Sequence, residues 1–191
     1  MATINGTAAA DTLSGTNAND IINGLDGDDT LTDAGGNDKL DGGKGNDKLA
    51  GGVGNDTYFV DSFDDVVEEI EGQGKDTVFA SATFALGAAQ EIEVLTLQGN
   101  ENIDGTGNKF ANTINGNAEE NLLIGAEGND VLNGGGDDDA LDGGDGDDIL
   151  NGGDGQDDLA GRAGNNVMSG GKGDDLYFVD SIGDKLIEAL A

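Results

Sequence analysis

The feature that most constrains this chain is a nine-residue sequence period. Between Gly143 and Ala160 the sequence reads GGDGDDILN and then GGDGQDDLA. Each nine-residue unit is a glycine-rich, acidic loop of six residues followed by three residues, of which the middle one is apolar. A unit this small cannot bury its apolar residue alone, so it is stable only where copies stack and cover one another. The period therefore predicts a fold made of stacked repeats.

The same register extends over most of the chain, in two blocks. It starts at Gly6, degrades in the unit that ends at Glu68, and resumes at Gly107, which gives sixteen units in total. Because alternate residues of a strand face opposite ways, the eighth residue of a unit points inward while its two neighbours point outward. Two units then form one coil with a strand on each side and a loop at each edge, so an all-β fold is predicted. The eighth position is apolar or aromatic in all sixteen units: Leu13, Ile22, Leu31, Leu40, Leu49, Tyr58, Val67, Ile114, Leu123, Leu132, Leu141, Leu150, Leu159, Met168, Tyr177 and Leu186.

The composition agrees with tight coils rather than with disorder. The chain has 36 glycines and no proline, and the glycines recur at the first, second and fourth positions of the unit. A chain that reverses direction every nine residues needs positive φ angles repeatedly, which glycine adopts without strain. Proline would delete a hydrogen-bond donor from each ladder that it entered. There is no cysteine, so a disulfide framework is excluded.

The net charge of −32, from 40 acidic and 8 basic residues, limits the classes of partner. A chain this acidic repels nucleic acid and anionic lipid, so neither is expected to bind. A compact fold must also overcome its own repulsion, which indicates bound cations. No run of 18 apolar residues occurs, and residues 1–16 lack the basic region and apolar core of a cleavable signal.

The sixth position of the unit is the strongest candidate for a ligand. It is Asp in thirteen units and Asn in three, at Asn112, Asn121 and Asn166. In a single glycine loop such an Asp is readily interpreted as an Asx-turn former. In a stack, however, the carboxylates would lie about 5 Å apart along each edge, the spacing of neighbouring strands, with no counter-charge. The column therefore favours a divalent cation between them.

The available ligand atoms favour calcium. The chain has neither histidine nor cysteine, which argues against zinc and copper. Carboxylates together with the carbonyl groups of an open glycine loop form the flexible, many-oxygen shell that suits calcium better than magnesium. The EF-hand is excluded because neither its loop pattern nor flanking helices are present.

The repeat resembles a known family. GGKGNDKLA and GGDGDDILN match the pattern GGxGxDxUx, with U a large apolar residue, at every defined position. The chain is similar to RTX domains, the haemolysin-type calcium-binding repeats, over about three quarters of its length. The resemblance implies a parallel β-roll, a right-handed β-solenoid in which calcium lies between loops of one edge, two units apart. It also implies a bacterial protein that is exported by a type I system and folds outside the cell.

Carried over residue by residue, the resemblance pairs the sixth-position Asp residues along each edge. The implied pairs are Asp29 with Asp47, Asp38 with Asp56, Asp130 with Asp148, Asp139 with Asp157, Asp157 with Asp175, and, in loops without the fourth-position glycine, Asp11 with Asp29 and Asp20 with Asp38. The three Asn loops and the degraded units around Asp65 and Asp184 depart from the pattern and are not expected to complete sites. On the order of eight calcium ions are expected.

The loop carbonyls are implied as the remaining ligands. Besides the aspartates Asp11, Asp20, Asp29, Asp38, Asp47, Asp56, Asp130, Asp139, Asp148, Asp157 and Asp175, the candidate metal ligands are Gly24, Asp26, Gly27, Gly36, Gly42, Gly43, Lys44, Gly45, Gly51, Gly52, Val53, Gly54, Gly125, Glu127, Gly128, Gly134, Gly135, Gly136, Asp137, Gly143, Gly144, Asp145, Gly146, Gly152, Gly153, Asp154, Gly155, Gly170, Gly171, Lys172 and Gly173.

The register divides the chain into three parts. Residues 1–68 form the first roll block, residues 69–106 an intervening irregular β segment, and residues 107–191 the second roll block with a C-terminal capping coil. Within the intervening segment, strands are expected at 77–86 and 93–98 and a helical turn at 87–92. The segment is interpreted as irregular coils that continue or cap the roll, or alternatively as a separate binding insertion. Both blocks end on a similar sequence, which predicts that Phe59 and Phe178 cover the end of each.

Two outward rows of the second block allow two interpretations. Position seven reads Thr113, Val131, Ile149, Val167, and position nine reads Asn115, Asn133, Asn151, Ser169. These rows are interpreted as β-propensity with an asparagine ladder. The alternative is a docking strip for a neighbouring domain or a second copy, because exposed apolar ladders tend to mark contacts.

The sequence favours a calcium-dependent folding and secretion scaffold over two rivals. Without His or Cys there is no Ser-His triad, thiol nucleophile or zinc hydrolase site, so the protein is predicted not to be an enzyme. Paired carboxylates also occur in glycoside hydrolysis, but the loop aspartates are assigned to metal and no aromatic-lined cleft is visible. The second rival is an adhesive or polysaccharide-binding module at a cell surface, with a surface glycan as partner.

Overall fold

The chain is built of short β-strands. The computed structural model describes residues 1–187, and this part of the chain contains 21 strands and no helix. It divides into two compact units, Met1–Glu93 and Val94–Ala191. The last four residues of the predicted second block, 188–191, lie outside the described residues. No helix of the described part is long and apolar enough to cross a membrane.

The first unit contains two parallel sheets. Strands β1, β3, β5, β7 and β9 pair in that order in one sheet, and β2, β4, β6 and β8 pair in the other. The strands of this unit are β1 (Thr3–Asn5), β2 (Thr12–Ser14), β3 (Ile21–Asp26), β4 (Thr30–Thr32), β5 (Lys39–Lys44), β6 (Lys48–Ala50), β7 (Thr57–Val60), β8 (Val66–Val67), β9 (Thr77–Ala80) and β10 (Phe84–Ala85).

The second unit has the same architecture. One sheet has the order β11, β13, β15, β17, β19, β21, and the other has the order β12, β14, β16, β18, β20. The strands are β11 (Val94–Leu97), β12 (Gly105–Thr106), β13 (Thr113–Asn115), β14 (Leu122–Glu127), β15 (Val131–Gly136), β16 (Ala140–Asp145), β17 (Ile149–Asp154), β18 (Asp158–Ala160), β19 (Val167–Lys172), β20 (Leu176–Phe178) and β21 (Lys185–Ile187).

The strands pair with the predicted period of two repeats. Leu132 lies beside Leu150 and Leu141 beside Leu159, so each strand is covered by the strand two repeats further on. Most eighth-position residues form the core between the two sheets of each unit, and Leu132 and Leu150 have no exposed surface. The exceptions lie in the end coils: Leu13 and Tyr177 are half-buried, and Leu186 is 50% exposed. The parallel β-roll is therefore confirmed. Several strands are longer than the three residues predicted, because pairing continues into the loop, as between Gly135 and Gly153.

The outer face carries the predicted asparagine ladder. The side-chain nitrogen of Asn151 donates to Oδ1 of Asn133, and that of Asn133 donates to Oδ1 of Asn115, both at 2.8 Å. Each amide thus satisfies the next along the stack. Ile149 in the adjoining row is 43% exposed, and a docking role for that row stays a prediction.

Two local predictions in and beside the irregular segment are wrong. The helical turn predicted at 87–92 is a short turn, in which the Gln90 amide donates to the Gly87 carbonyl. Phe59 does not cover the end of a block, because β9 pairs beyond β7 and the Phe59 ring stacks on Phe79 at 5.2 Å. The inward residue of β7 is Tyr58, whereas position nine faces outward, and Phe178 is accordingly 51% exposed.

Two neighbouring leucines of β14 test the inward and outward assignment. Leu123 is fully buried, whereas Leu122 is 42% exposed. We expect Leu123→Ala to lower the free energy of unfolding by about 2–5 kcal/mol, because it leaves a cavity in a core one residue thick. Leu122→Ala should change it by no more than about 0.5 kcal/mol. Urea unfolding in excess calcium measures both, and equal losses would contradict the assignment.

Candidate metal centres

The sixth-position side chains lie at the edges of the rolls, and all are buried there except Asp11, Asp175 and Asp184, which are half-buried. Asp130 and Asp148 are each 1% exposed, and Asp157 has no exposed surface. Each lies just before the strand that carries the inward residue, so the coil that buries the apolar side chain also buries the carboxylate. The apolar column and the acidic column are thus two consequences of one register.

One oxygen of each carboxylate accepts a hydrogen bond from a backbone amide of the preceding coil. The amide N–H of Asp130 donates to Oδ1 of Asp148 at 2.8 Å, and that of Asp139 donates to Oδ1 of Asp157 at 2.9 Å. The structure brings together every predicted pair through this bond: Asp11 with Asp29, Asp20 with Asp38, Asp29 with Asp47, Asp38 with Asp56, Asp130 with Asp148, Asp139 with Asp157, and Asp157 with Asp175.

The second oxygen of most of these carboxylates is buried without a hydrogen-bond partner in the described chain. A buried anionic oxygen left in this way is strongly unfavourable unless a positive charge approaches it. Nine sixth-position residues share this state: Asp29, Asp38, Asp47, Asp56, Asp130, Asp139, Asp148, Asp157 and Asp175. These nine are the strongest candidates for cation ligands.

A first-position glycine keeps a recess open beside eight of the nine unpaired oxygens, and Asp38 is the exception because its unit begins with Asp33. A Cβ on Gly125 would overlap both Oδ2 of Asp130 and the carbonyl oxygen of Gly143, one coil further on. Only a residue without a Cβ therefore leaves this space, and the atoms around it are oxygens. A carboxylate and a carbonyl oxygen are hard ligands of the kind that calcium takes. The residues present fit a calcium ion.

Other loop carbonyls among the predicted ligands are already engaged. The carbonyl of Asp145 accepts the N–H of Gly128 at 2.9 Å, and that of Lys172 accepts the N–H of Gly155 at 2.9 Å. The Lys172 ammonium group pairs with the Asp154 carboxylate at 2.7 Å. A carbonyl oxygen has two lone pairs, so each can still accept one further ligand.

Asp11 and Asp20 differ from the nine. Oδ2 of Asp20 accepts the hydroxyl of Thr16 at 2.7 Å and the Thr16 amide at 3.0 Å. Thr7 donates to Asp11 in the same way, through its amide at 2.6 Å and its hydroxyl at 2.9 Å. These carboxylates are satisfied within their own loop, by a threonine four residues earlier, and not by the Asx-turn that an isolated aspartate forms. We therefore propose fewer cation contacts at these two loops than the repeat pattern implies.

In the loops with asparagine at the sixth position, the side-chain amide forms hydrogen bonds within the protein. The side-chain nitrogen of Asn121 donates to the Ile103 carbonyl at 2.7 Å, while its Oδ1 accepts the Asn117 amide at 2.8 Å. In the loop of Asn166, the amide nitrogen takes the place beside Gly161 that Oδ2 takes beside Gly125. A neutral donor thus replaces the cation. Asp65 and Asp184 also have satisfied oxygens, because backbone amides donate to their Oδ2.

The family comparison agrees with this geometry. A family model described as RTX calcium-binding nonapeptide repeat (4 copies) matches residues 3–31, 32–67, 97–132, 106–141, 125–159 and 142–177. These matches cover well over half of the chain. The chain belongs to the RTX calcium-binding repeat family. A comparison with curated proteins finds no matching relative.

The RTX loops place their carboxylates in an environment that disfavours charge. Burial raises the pKa of Asp130 to about 6 and that of Asp139 to about 7, and the neighbouring Asp148 and Asp157 carboxylates add to the two shifts. Backbone N–H donors at Asn112 and Asn121 oppose these shifts without cancelling them. The metal-free RTX roll therefore takes up protons at the positions where calcium fits.

Three acidic residues outside the predicted ligand set are also relevant: two have a buried carboxylate oxygen without a hydrogen-bond partner in the described chain, and the third contacts Asp56. Oδ2 of Asp33 and Oε2 of Glu69 are buried without a hydrogen-bond partner among residues 1–187, and Asp76 accepts the amide of Asp56 at 2.7 Å. The sequence does contain a signal for Asp76, because residues 71–79 read EGQGKDTVF, a degenerate RTX unit shifted by two residues. Asp33 and Glu69 occupy first positions, where the pattern has glycine, so the repeat consensus gave no reason to select them.

A second polar column was also missed. The amide of Asp147 donates to Oδ1 of Asn129 at 2.9 Å, and that of Asn165 donates to Oδ1 of Asp147 at 2.8 Å. These fifth-position side chains are exposed and satisfy the backbone of the loops along the edge. Their frequent Asn and Asp residues are therefore explained by hydrogen bonding.

Replacement of Asp148 by asparagine tests the role of the unpaired oxygen. We expect Asp148→Asn to lower the number of bound calcium ions and to cost about 1–3 kcal/mol of stability in saturating calcium, the contribution of one site. In chelator the same change should raise the residual β-structure, because the amide supplies a donor as Asn166 does. Asp147→Asn is the matched control, since that residue is exposed and keeps its acceptor oxygen. Calcium dialysis, circular dichroism and urea unfolding measure both variants, and equal behaviour would contradict the assignment.

The raised pKa values predict opposite pH dependences with and without calcium. In chelator the folded roll binds protons more tightly than the unfolded chain, whose Asp pKa is near 3.8. The stability that this provides is complete below that pH and is lost as pH rises through about 6 to 7. We therefore expect more β-structure at about pH 5 than at about pH 8 in chelator, and in calcium a lower melting temperature at about pH 5 than at about pH 8, because protons compete with the ion. Circular dichroism spectra in chelator and melting curves in calcium measure this, and a parallel trend in both buffers would refute it.

Proposed function

We propose that this chain is a calcium-dependent folding module that acts as the secretion and folding scaffold of an exported protein. The observation that carries the proposal is the set of nine buried, unpaired carboxylate oxygens, eight of which lie beside a first-position glycine. Such oxygens oppose folding in the absence of a cation and favour it in the presence of one. Membership of the RTX family supports calcium as the ion.

The energetics favour a switch set by the calcium concentration. With dissociation constants near 10⁻⁴ M, typical of extracellular calcium modules, a tenfold excess of calcium stabilises the fold by about 1.4 kcal/mol per site. On the order of eight sites would then contribute roughly 11 kcal/mol, comparable with the whole stability of a domain. At submicromolar calcium the contribution is close to zero. The chain would therefore be unfolded in the cytosol and folded outside the cell.

This switch suits export in an unfolded state. A net charge of −32 keeps the metal-free chain expanded and soluble, and the absence of cysteine removes any need for oxidative folding. We propose a bacterial protein of extracellular location, exported by a type I system, in which calcium on the far side drives folding. The RTX family is a calcium-binding repeat family and not an enzyme family, and no catalytic role is proposed for the loop aspartates.

A second function rests on the outer face of the second unit. The row that includes Val131 and Ile149 adjoins the asparagine ladder, and both sides of this strip are repeated at a fixed spacing. Regular outward rows suit an adhesive or polysaccharide-binding surface, or a contact with a neighbouring domain or a second copy. A glycan array with and without calcium separates this role from the scaffold role, because a scaffold alone retains no glycan in either condition.

A calcium titration tests the proposed function. We expect circular dichroism to show little β-structure in excess chelator and a cooperative gain of β-structure as calcium rises into the range of about 10⁻⁴ to 10⁻³ M. The hydrodynamic radius should fall over the same range, whereas magnesium at equal concentration should have much less effect. Full β-structure in excess chelator at neutral pH would refute the switch.

A further inference from the structure

Three carboxylates meet at one edge of the first unit, beyond its last regular loop. Asp56, Glu69 and Asp76 are 1%, 4% and 1% exposed, and each offers a ligand oxygen within 4.8 Å of the others. None of the ion pairs formed by the described residues involves any of the three. Three like charges this close in a buried place repel one another strongly.

Two of the three carboxylates have a buried oxygen without a hydrogen-bond partner in the described part of the chain. Oδ2 of Asp56 and Oε2 of Glu69 have no hydrogen-bond partner within residues 1–187. The other oxygens are engaged, since Oδ1 of Asp56 accepts the Asp38 amide at 2.7 Å and Oε1 of Glu69 accepts the Tyr58 hydroxyl. A single proton would neutralise only one of the three groups. A divalent cation would satisfy both unpaired oxygens together.

The cluster differs from a repeat loop at defined positions. Glu69 stands two repeats after Gly51, where a regular array has its next first-position glycine. Asp76 stands 20 residues after Asp56 and accepts its amide, so a coil two residues longer than the others still closes the ladder. A Cβ on Gly51 would overlap Oδ2 of Asp56 and the Tyr58 hydroxyl, whereas in the regular loop at Gly24 it would overlap Oδ2 of Asp29 and the Gly42 carbonyl oxygen.

Tyrosine at the eighth position completes the arrangement. The Tyr58 hydroxyl accepts the Gly51 amide at 2.8 Å and donates to Glu69, so it fixes the position of that carboxylate. The second unit shares the first part of this arrangement. The Tyr177 hydroxyl accepts the Gly170 amide at 2.7 Å, and the unpaired Oδ2 of Asp175 lies beside the same glycine. In sequence, Glu188 follows Tyr177 by eleven residues, as Glu69 follows Tyr58.

We propose that Glu69 and Asp76, which lie outside the repeat pattern, join the repeat residue Asp56 in a further binding site for a hard divalent cation, which closes the edge of the first unit. The identity of the ion as calcium rests on the proposed function, whereas the site itself rests on this cluster. The charge of the ligands sets calcium affinity in proteins, and this site supplies three carboxylates. It therefore fills at a lower calcium concentration than the repeat sites.

Terbium luminescence tests the site through its own tyrosine. Terbium replaces calcium and emits when an adjacent tyrosine is excited, and the chain has two tyrosines and no tryptophan. In a Tyr177→Phe background, Tyr58 is the remaining sensitiser. We expect an early luminescent phase in the titration that Glu69→Gln and Asp76→Asn abolish. The matched control is Glu71→Gln, because Glu71 is an exposed acidic residue of the same segment.

Calcium dialysis separates this proposal from the function of the repeats. Glu69→Gln should lower the bound calcium by a single ion per chain and leave the β-structure in excess calcium unchanged, while Glu71→Gln should match the parent. Unchanged stoichiometry and luminescence in Glu69→Gln would overturn this site and leave the repeat sites intact. Absence of any bound calcium in the parent would overturn both. If Glu69→Gln does not fold, anomalous scattering from terbium in crystals of the parent decides: a peak between the three carboxylates supports the site, and its absence refutes it.

Discussion

Burial of carboxylate oxygens without hydrogen-bond partners is the constraint on which this structure depends. The coil that hides Leu132 and Leu150 from water also hides Asp130 and Asp148, because both columns belong to one nine-residue register. The protein cannot gain its apolar core without burying these charges. Folding is thereby coupled to whatever cation fits beside them, and the chain alone does not contain enough basic residues to neutralise them.

The fold could be predicted because each repeat follows from one physical argument. A single inward residue, flanked by outward ones and preceded by glycine, leaves few ways for a strand such as β15 to lie, and sixteen copies reinforce one another. The ligand columns follow from the same register. What the consensus could not give is the difference between Asp29 and Asp20, which have equivalent positions. It depends on whether the residue at position two is a threonine, whose hydroxyl and amide reach the second carboxylate oxygen.

The irregular segment contains strands within the expected ranges 77–86 and 93–98, but its candidate ligand Asp76 escaped prediction for a similar reason. The two extra residues before EGQGKDTVF shift the period, and a search in strict steps of nine therefore passes over Asp76. In the structure the ladder absorbs the extra residues in a loop, because Thr77 still pairs with Thr57 and Val78 with Tyr58. Phe59 was misplaced because its position in the repeat faces solvent, where it stacks on Phe79. The site that we propose at the edge of the first unit depends on Tyr58 and Glu69, and the repeat pattern specifies neither of these residues.

The pairing of strands in the regular repeats with the strand two repeats away also restricts how such a chain can change its length. One nine-residue repeat carries the chain from one edge to the other, so the insertion of a single repeat would move every later loop to the opposite edge. A repeat inserted just before the unit of Asp139, which now stacks on Asn121 and Asp157, would place that residue in the column that holds Asn112 and Asp130. Duplications of whole coils preserve both columns, and evolution of the array by steps of two repeats is the outcome that its geometry favours.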